Sequence, residues 1–570
     1  MMRRRGRTAG VKAAVAGALI VLAMTVTACT PVDGGPASPP PSDGDSAAIA
    51  EDGPQAPADR EIAPAEVRTQ GGVTRVRFDL GNIDVGDPPE PETFTSPLRG
   101  TLTLPSPSTD SARLVVIGHL RAETCPDSSF RYPCPAGDSI RYDAGMDYLA
   151  TELAARGYAV LAPDLAPVFV GQLARGSSYD QTRAWRRVVL DQVEALRRAA
   201  ADSGARRRLV GSDPVADAKA RKVDASSILW IAHSRSGMMI RGAAAEAAEA
   251  GITTRGALYL ATAHDVGNNA GESLDDPPLD VPTLGIVGGR DGDVPSDSVQ
   301  WAAAHFDADR RSPLAIATVG SFGHNQLNAA SELPEDRLEC VGEPASVSCP
   351  SGDEARAMIV RTALAWAKAV DDASFPGFMT DAATALPTEW LGYRADWFVH
   401  TLGPRRVLVN AAHETPAGAL RAENATLQRC RVVDLMEPVE QDVSPCPDDG
   451  DTAARPGGPY LLVDWKGGGA LSIPVGPASE ESRTLVLHLM PYRKSSPEGL
   501  QLDIGFAGTM TSLAPNTPGL RVPGVGGEAA KTTTLRLPLP AGAVGTTVTL
   551  GSLTSNRAGG VLLTGVELSS

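Results

Sequence analysis

From residue 71 to residue 384, short apolar runs alternate with longer segments whose apolar residues recur at helical spacing. After an alternating strand at 73–80, strand-length apolar runs lie at 102–104, 114–117, 158–162, 227–231, 256–260, 283–287 and 314–319. Segments with one apolar helical face lie at 143–157, 185–196, 298–306 and 353–370. Strands that alternate with helices predict an α/β domain, in which a mostly parallel sheet carries helices on both faces.

The pattern changes at residue 385, beyond which strands of period two are separated by clusters of Gly, Pro, Asn and Ser. These strands lie at 406–409, 460–465, 470–474, 484–490, 500–506, 533–537, 547–550 and 561–568. Many short strands predict an antiparallel, jelly-roll-like β-sandwich over 385–570. Its closing segment, 559–568, resembles the last strand of galactose-binding-like or carbohydrate-binding domains. Glycan binding and simple packing on the first domain both remain open. Trp465 and Tyr492 are candidates for a glycan-stacking surface, although burial is the simpler expectation for Trp465.

The first 29 residues have the pattern of a bacterial lipoprotein signal. A basic segment at 3–7 precedes an apolar segment at 13–24, which is too short for a transmembrane helix. Small residues then lead directly into Cys29, which resembles a lipobox and implies cleavage before Cys29 and its lipidation. Residues 30–70 are rich in Pro, Gly, Asp and Ser and predict a disordered tether. We therefore expect a protein anchored by its lipid at the extracytoplasmic face of the cell membrane.

The cysteines support an exported protein. The chain has seven cysteines, and those other than Cys29 form three close pairs in the sequence. Close pairs in an exported chain predict local disulfides, which we expect to be Cys125–Cys134, Cys340–Cys349 and Cys430–Cys446. The spacings do not match a metal site, so no metal is expected. The formal net charge of −16 argues against a nucleic-acid partner, because phosphate binding requires clustered Lys and Arg.

Candidate chemistry begins at the end of the 227–231 strand, where the chain reads A232-H-S-R-S-G237. A buried strand, a tight turn of small residues and a helix are the parts of a nucleophile elbow, which exposes a serine hydroxyl beside helix N–H groups. Ser234 is the preferred nucleophile, because its neighbours at two positions to either side, Ala232 and Ser236, are both small. Ser236 is the alternative, but Met238 would then occupy a position that requires a small residue.

Two further strand ends supply an acid and a base. Asp291 follows the 283–287 strand and His324 follows the 314–319 strand, which gives the chain order Ser, Asp, His. A histidine can remove the serine proton, and a carboxylate can hold that histidine in the required tautomer. Asp293 is the alternative acid, and Asp265 is a more distant one.

An oxyanion hole requires two backbone N–H donors near the nucleophile. The N–H of Arg235 directly follows Ser234. A second N–H is expected from His119 or Leu120, in the loop after the 114–117 strand. The predicted Cys125–Cys134 disulfide would constrain this same loop.

These segments, together with R141-Y-D-A-G-M-D-Y148 and G323-H-N-Q326, resemble the α/β-hydrolase superfamily. The resemblance covers about residues 70–375 and is greatest to the dienelactone-hydrolase, chlorophyllase and platelet-activating-factor-acetylhydrolase-like branch. It implies a serine ester hydrolase with Ser234, Asp291 and His324 as its triad. Ala232 and Ser236 depart from the family, which commonly has glycine at both positions.

The sequence thus predicts a membrane-anchored serine hydrolase that needs no cofactor and acts on a small-molecule or lipid ester. The alternative is a non-catalytic surface lipoprotein whose β-sandwich binds cell-wall glycan or a protein partner. Survival of all three triad residue types at strand ends favours the enzyme. The pattern does not indicate the acyl group, the alcohol or the oligomeric state.

Overall fold

The computed structural model describes residues 53–86, 94–106, 110–135, 139–170, 179–264, 277–291, 293–294, 297–320, 322–331, 350–413, 420–431, 459–475, 482–492, 499–521, 531–540, 547–555 and 557–570. The predicted signal segment with Cys29, the Cys340–Cys349 pair, Cys446 and Asp265 lie outside these ranges. Within them, no helix has the length and apolar character needed to cross a membrane.

The first sheet has eleven strands, β1 Glu66–Gln70, β2 Val73–Asp84, β3 Thr95–Leu104, β4 Ala112–Gly118, β5 Ala159–Pro163, β6 Val223–His233, β7 Thr253–Leu260, β8 Thr283–Gly288, β9 Leu314–Val319, β10 Glu389–Trp390 and β11 Tyr393–Val399. Their spatial order is β1-β2-β3-β5-β4-β6-β7-β8-β9-β11-β10. The run from β5 to β9 is parallel, and the strands outside it are antiparallel. The carboxyl ends of β4, β6, β8 and β9 therefore meet at one edge of the sheet.

The helices of this part are α1 Asp147–Ala155, α2 Ala166–Val170, α3 Gln181–Ala201, α4 Ser203–Val210, α5 Pro214–Ala220, α6 Ile240–Glu249, α7 Asp297–Ala304, α8 Gly352–Asp372 and α9 Gly377–Thr380. Successive strand residues point to opposite faces of the sheet, so each face has its own core. Val116 and Trp230 pack with residues of α3, α4, α5 and α6 on one face, while Val115 and Leu229 pack with residues of α1 and α8 on the other. The structure therefore has the predicted α/β character, with a mixed sheet between layers of helices.

Two predicted boundaries differ from the structure. Part of the predicted tether packs on the first sheet: Ala56 N–H donates to the Thr95 carbonyl, and the Arg60 guanidinium pairs with the half-buried Asp79. At the other end, β11 pairs with β9 through Val399, beyond the predicted domain start at residue 385. Both segments fill edges of the first sheet, where a free strand edge would leave backbone groups unpaired.

The second part of the chain has nine strands, β12 Arg405–Asn410, β13 Arg421–Arg431, β14 Pro459–Pro474, β15 Thr484–Pro491, β16 Leu502–Phe506, β17 Thr509–Leu513, β18 Thr533–Pro538, β19 Thr547–Gly551 and β20 Gly559–Ser569. All of their pairings are antiparallel. The long β14 pairs with β20 through its first half and with β19 through its second half, and its apolar residues join a core of this part alone. The architecture has the β-sandwich-like content that the sequence predicts.

The glycan-stacking surface suggested for Trp465 and Tyr492 is not formed. Trp465 is 1% exposed and Tyr492 is 5% exposed, and each belongs to an apolar cluster of the second part. A sugar ring cannot stack on an aromatic face that is already covered by neighbouring side chains. The alternating pattern placed Trp465 on a strand, but it did not show that neighbouring side chains would cover the rings of Trp465 and Tyr492.

Candidate active site

The turn after β6 holds Ser234 in the conformation expected of an elbow. β6 ends at His233, and a short 3-10 helix, Ser234–Met239, follows directly. Ser234 has a φ of 55°, which is left-handed backbone that a non-glycine residue adopts at a cost of roughly 1–2 kcal/mol. The turn is also tightly packed, because a Cβ added to Gly237 would lie 2.3 Å from the Cβ of Thr262. Strain at this one serine indicates that the surrounding structure fixes the position of its hydroxyl.

The three residues predicted as a triad are brought together by hydrogen bonds. Ser234 Oγ lies 2.8 Å from His324 Nε2, and His324 Nδ1 lies 2.9 Å from Asp291 Oδ2. All three residues are buried. Asp291 comes from the loop after β8, and His324 directly precedes the 3-10 helix Asn325–Leu327 that follows β9. With the proton on Nδ1 donated to the carboxylate, Nε2 is free to accept the serine proton.

The Asp291 carboxylate is satisfied on both oxygens. Oδ1 accepts the N–H groups of Asp293, at 3.1 Å, and Val294, at 2.8 Å, while Oδ2 accepts from His324. Burial raises the pKa of Asp291, but the charge and hydrogen bond of His324, the Val294 N–H and the charge of Lys531 outweigh burial. The pKa of Asp291 therefore lies below its usual value. Asp291 is ionised at neutral pH, as the partner of an imidazolium must be.

Asp293, the alternative acid, occupies a different side of the imidazole. Its Oδ2 lies 3.3 Å from His324 Nε2, the nitrogen that faces Ser234, and its side chain is 59% exposed. The residue that contacts Nδ1 is Asp291. Only a group on Nδ1 can fix the tautomer that leaves Nε2 as the base, so Asp291, and not Asp293, occupies the position of an orienting acid.

His233 is a site residue that the sequence reasoning did not identify. Its Nε2 donates to the backbone carbonyl of His324 at 3.2 Å, and the two rings lie 5.1 Å apart. Burial, followed by the charge of His324, lowers the pKa of His233 well below its usual value, so this ring is neutral. His233 thus holds the backbone of the candidate base without competing for its proton. Its position directly before Ser234 was the only available signal.

The loop after β4 lies against the nucleophile turn through Ser236. The Ser236 hydroxyl donates to the His119 carbonyl at 2.6 Å and accepts from Trp185 Nε1 at 3.2 Å. Ser236, the alternative nucleophile, thus has its hydroxyl engaged in a structural contact. The Ser236 hydroxyl thereby joins the turn to the loop that carries two of the predicted oxyanion donors, His119 and Leu120.

His119 also stabilises this loop with its side chain. Its Nε2 accepts the N–H of Leu165 at 2.8 Å, so the ring proton lies on Nδ1, which donates to the Leu120 carbonyl at 2.7 Å. Burial lowers the pKa of His119, which keeps the ring neutral. The loop bearing the predicted amides of His119 and Leu120, and the turn bearing that of Arg235, therefore have fixed positions relative to each other.

The Cys125–Cys134 disulfide closes the same loop further along the chain, with the two Cα atoms 5.5 Å apart. This pairing is confirmed. Cys430 is also disulfide-bonded, while its predicted partner Cys446 lies outside the described residues. Within the described residues, no group of three His, Cys, Asp or Glu side chains is arranged to hold a metal ion.

His264, in the loop after β7, packs within the protein. Its ring stacks on Trp301 at a centroid distance of 4.0 Å, and its Nε2 lies 3.0 Å from Thr262 Oγ1. Burial lowers the pKa of His264 to about 3, so the ring is neutral. The structure gives His264 a packing role beside the helix α7 and does not bring it into hydrogen-bond contact with the three site residues.

No family model and no curated protein matches the chain. Among solved structures, carbohydrate-binding modules of family 29 align with 29% of it. One such module is 11% identical, with 87% of that chain covered and a TM-score of 0.17. Variants complexed with mannohexaose and cellulohexaose are 11% and 12% identical, with 90% and 89% of those chains covered and a TM-score of 0.17 each. Similarity at this level carries no argument about the fold or the ligand of this chain.

Proposed function

We propose that the chain is a serine hydrolase of the α/β-hydrolase class that cleaves carboxylic esters through an acyl-enzyme. The observation that carries the proposal is the continuous pair of hydrogen bonds from Ser234 Oγ through the His324 ring to Asp291. The left-handed φ of Ser234 supports the proposal independently, since backbone strain of this kind is characteristic of functional turns. The order of the three residues, after β6, β8 and β9, supports the fold assignment.

In the first half of the reaction, His324 Nε2 removes the proton of Ser234 as Oγ attacks the ester carbonyl. The imidazolium that forms is stabilised by the ionised Asp291 on its other nitrogen. The carbonyl oxygen becomes an oxyanion, for which we propose the N–H of Arg235 and the N–H of His119 or Leu120 as donors. Nε2 then protonates the departing alkoxide, the carbon–oxygen bond breaks, and the acyl group remains on Ser234.

In the second half, water replaces the alcohol. His324 Nε2 takes a proton from water as the water oxygen attacks the acyl carbonyl, and returns it to Ser234 Oγ as the acid leaves. Every proton is thus carried by His324, and the reaction needs no cofactor. We propose a small-molecule or lipid ester as the substrate class.

We further propose that the enzyme is lipid-anchored through Cys29 and works at the extracytoplasmic face of the membrane. The lipobox-like segment before Cys29 supports the anchor. The Cys125–Cys134 disulfide supports the location, because structural disulfides persist in oxidising compartments and are rare in the cytosol.

The direct test is hydrolysis of p-nitrophenyl esters of increasing acyl length by the soluble protein lacking residues 1–29. We expect wild type to turn over at least one ester and Ser234→Ala to lower kcat/KM by at least about 10⁴-fold, because removal of the nucleophile leaves only binding and oxyanion contributions. The control is the urea-unfolding midpoint, which Ser234→Ala should leave nearly unchanged.

Equal rates for wild type and Ser234→Ala would contradict the proposal. A wild type without turnover of these esters or of thioester and amide analogues would favour the non-catalytic lipoprotein, whose second part binds glycan or a protein partner.

A further inference from the structure

We propose that Lys531, from the second part of the chain, is a positioning residue of the candidate hydrolase site. On this view the β-sandwich-like part completes the catalytic apparatus and is not a separable binding module. The catalytic role of Lys531 rests on the proposed function, whereas its contacts are present in the structure whatever that function is.

Lys531 reaches from the second part of the chain to the loop after β8 that carries Asp291, which we call the acid loop. Its Nζ donates to the carbonyl of Gly288 at 2.9 Å, although the two residues are 243 positions apart, and Lys531 is only 5% exposed. Gly288 ends β8, and its carbonyl also lies 3.4 Å from the backbone nitrogen of Asp291. The Lys531 ammonium group and the Asp291 N–H therefore both approach the Gly288 carbonyl, at the start of the acid loop.

The charge of Lys531 also acts on the acid itself, since it contributes to keeping Asp291 ionised. A cation in a buried site interacts strongly with its neighbours, because few water molecules screen it. Lys531 consequently favours the Asp291 carboxylate and disfavours the His324 imidazolium. A neutral side chain at 531 would weaken both effects, while His324 and the Val294 N–H would still favour the Asp291 carboxylate.

The interface around Lys531 fixes its position. Thr532 Oγ1 donates to Gln300 Oε1 at 3.3 Å, and the Tyr460 hydroxyl donates to the same oxygen. Gln300 lies in α7, the helix that follows the acid loop. A third contact joins Asn410 Nδ2 to Asp307 Oδ2 at 2.7 Å, beyond the end of α7. The second part thus contacts the chain before the acid loop, at Gly288, and after it, at Gln300 and Asp307.

The titratable groups that face His324 come from several elements. Asp291 and Asp293 approach from the loop after β8, and neutral His233 approaches from the end of β6. Lys531 approaches from the second part, through Gly288 and Asp291. Of these groups, Lys531 is the cation, so its removal has a predictable sign: the protonated form of His324 becomes more favourable.

The experiment compares three variants of the soluble protein lacking residues 1–29. Lys531→Met removes the charge and the hydrogen bond, Lys531→Arg keeps a cationic donor, and Tyr460→Phe is the matched control. Tyr460→Phe removes one hydrogen bond of the same interface without touching the acid loop. For each variant we would measure the pH profile of kcat/KM, the urea-unfolding midpoint and the titration of His324 by NMR with ¹³Cε1-labelled histidine, assigned with His324→Gln.

For Lys531→Met we expect kcat to fall about tenfold and the His324 titration to move up by on the order of 0.5–1 pH unit. The acidic limb of kcat/KM should move in the same direction, because it reports the base of the free enzyme. Lys531→Arg should return both values to near those of wild type. Tyr460→Phe should leave the His324 titration unchanged even if it lowers stability.

A titration of His324 that is the same in wild type and Lys531→Met would overturn the inference and leave Lys531 a structural contact. A shift of the His324 titration in Tyr460→Phe that equals the shift in Lys531→Met would also overturn the inference. If Lys531→Met does not fold, Lys531→Gln and Lys531→Arg supply the comparison between neutral and cationic side chains. The NMR readout needs no substrate, so an inactive wild type would count against the proposed function while the shift of His324 still decides the role of Lys531.

Discussion

Asp291→Asn is expected to lower kcat for ester hydrolysis by about 10³- to 10⁴-fold, whereas Asp293→Asn lowers it by less than about tenfold. Asparagine at 291 can present its amide N–H to His324 Nδ1, which favours the tautomer with the proton on Nε2. That tautomer cannot accept the Ser234 proton. The lost charge also leaves the imidazolium without the buried carboxylate that lies 2.9 Å from it.

Asp293→Asn is the matched comparison, because it removes the same charge from the same loop. The Asp293 carboxylate lies 3.3 Å from Nε2 but is 59% exposed, so water screens it. Its loss should alter the stability of the imidazolium slightly and leave the tautomer intact. Initial-rate kinetics on one ester, from pH 5 to 9, measure both variants. Effects of equal size would mean that the two carboxylates share the acid role.

Gly288→Ala is expected to destabilise the fold by about 3 kcal/mol, near the upper end of the cost of overpacking, and to reduce activity with it. A Cβ at this position would lie 2.2 Å from the carbonyl oxygen of Phe322 and 2.8 Å from its carbonyl carbon. Both are backbone atoms of the loop that leads to His324, so neither can rotate away. To remove this clash, the acid loop and the loop that leads to His324 must move apart, which lengthens the contact between His324 and Asp291.

Gly285→Ala in the same strand provides the control for Gly288→Ala. A Cβ at Gly285 would meet the side chain of Ile316, with nearest atoms at 2.9 and 3.0 Å. This overlap is smaller than the one at Gly288, so Gly285→Ala should cost less than Gly288→Ala, about 1 kcal/mol at the lower end of the overpacking range, and retain most of the activity. Urea unfolding gives both free energies. Equal destabilisation by the two substitutions would show that the acid and histidine loops are less tightly packed than the structure indicates.

The residues of the candidate site could be predicted because parallel strands place their ends together. Apolar runs marked β6, β8 and β9, and the polar residues after these three strands included Ser234, Asp291 and His324. The choice between Asp291 and Asp293 depended on spacing alone, and only the geometry shows which carboxylate lies on Nδ1.

Contacts that join distant parts of the chain could not be predicted. Lys531 is an ordinary lysine in the sequence, and its partner at Gly288 is set by the docking of one part on the other. β11 has the alternating pattern of the second part but pairs with β9 of the first, because pattern specifies a strand and not its neighbour. The predicted strands 460–465 and 470–474 form one strand, β14, because both halves pair with β13. The register shifts between the pairs Ala425–Trp465 and Glu423–Ala470, so residues 466–469 form an irregularity within the strand and not a turn that ends it.

The proposal that Ser234 is an activated nucleophile is tested most directly by the intact mass of the soluble protein after exposure to a fluorophosphonate probe, which reacts with activated serines. We expect one adduct on wild type and on Ser236→Ala, and none on Ser234→Ala, because the Ser234 hydroxyl is hydrogen-bonded to His324 Nε2. An adduct that persists on Ser234→Ala and disappears on Ser236→Ala would place the nucleophile at Ser236. The absence of any adduct on wild type would contradict an activated serine at this site.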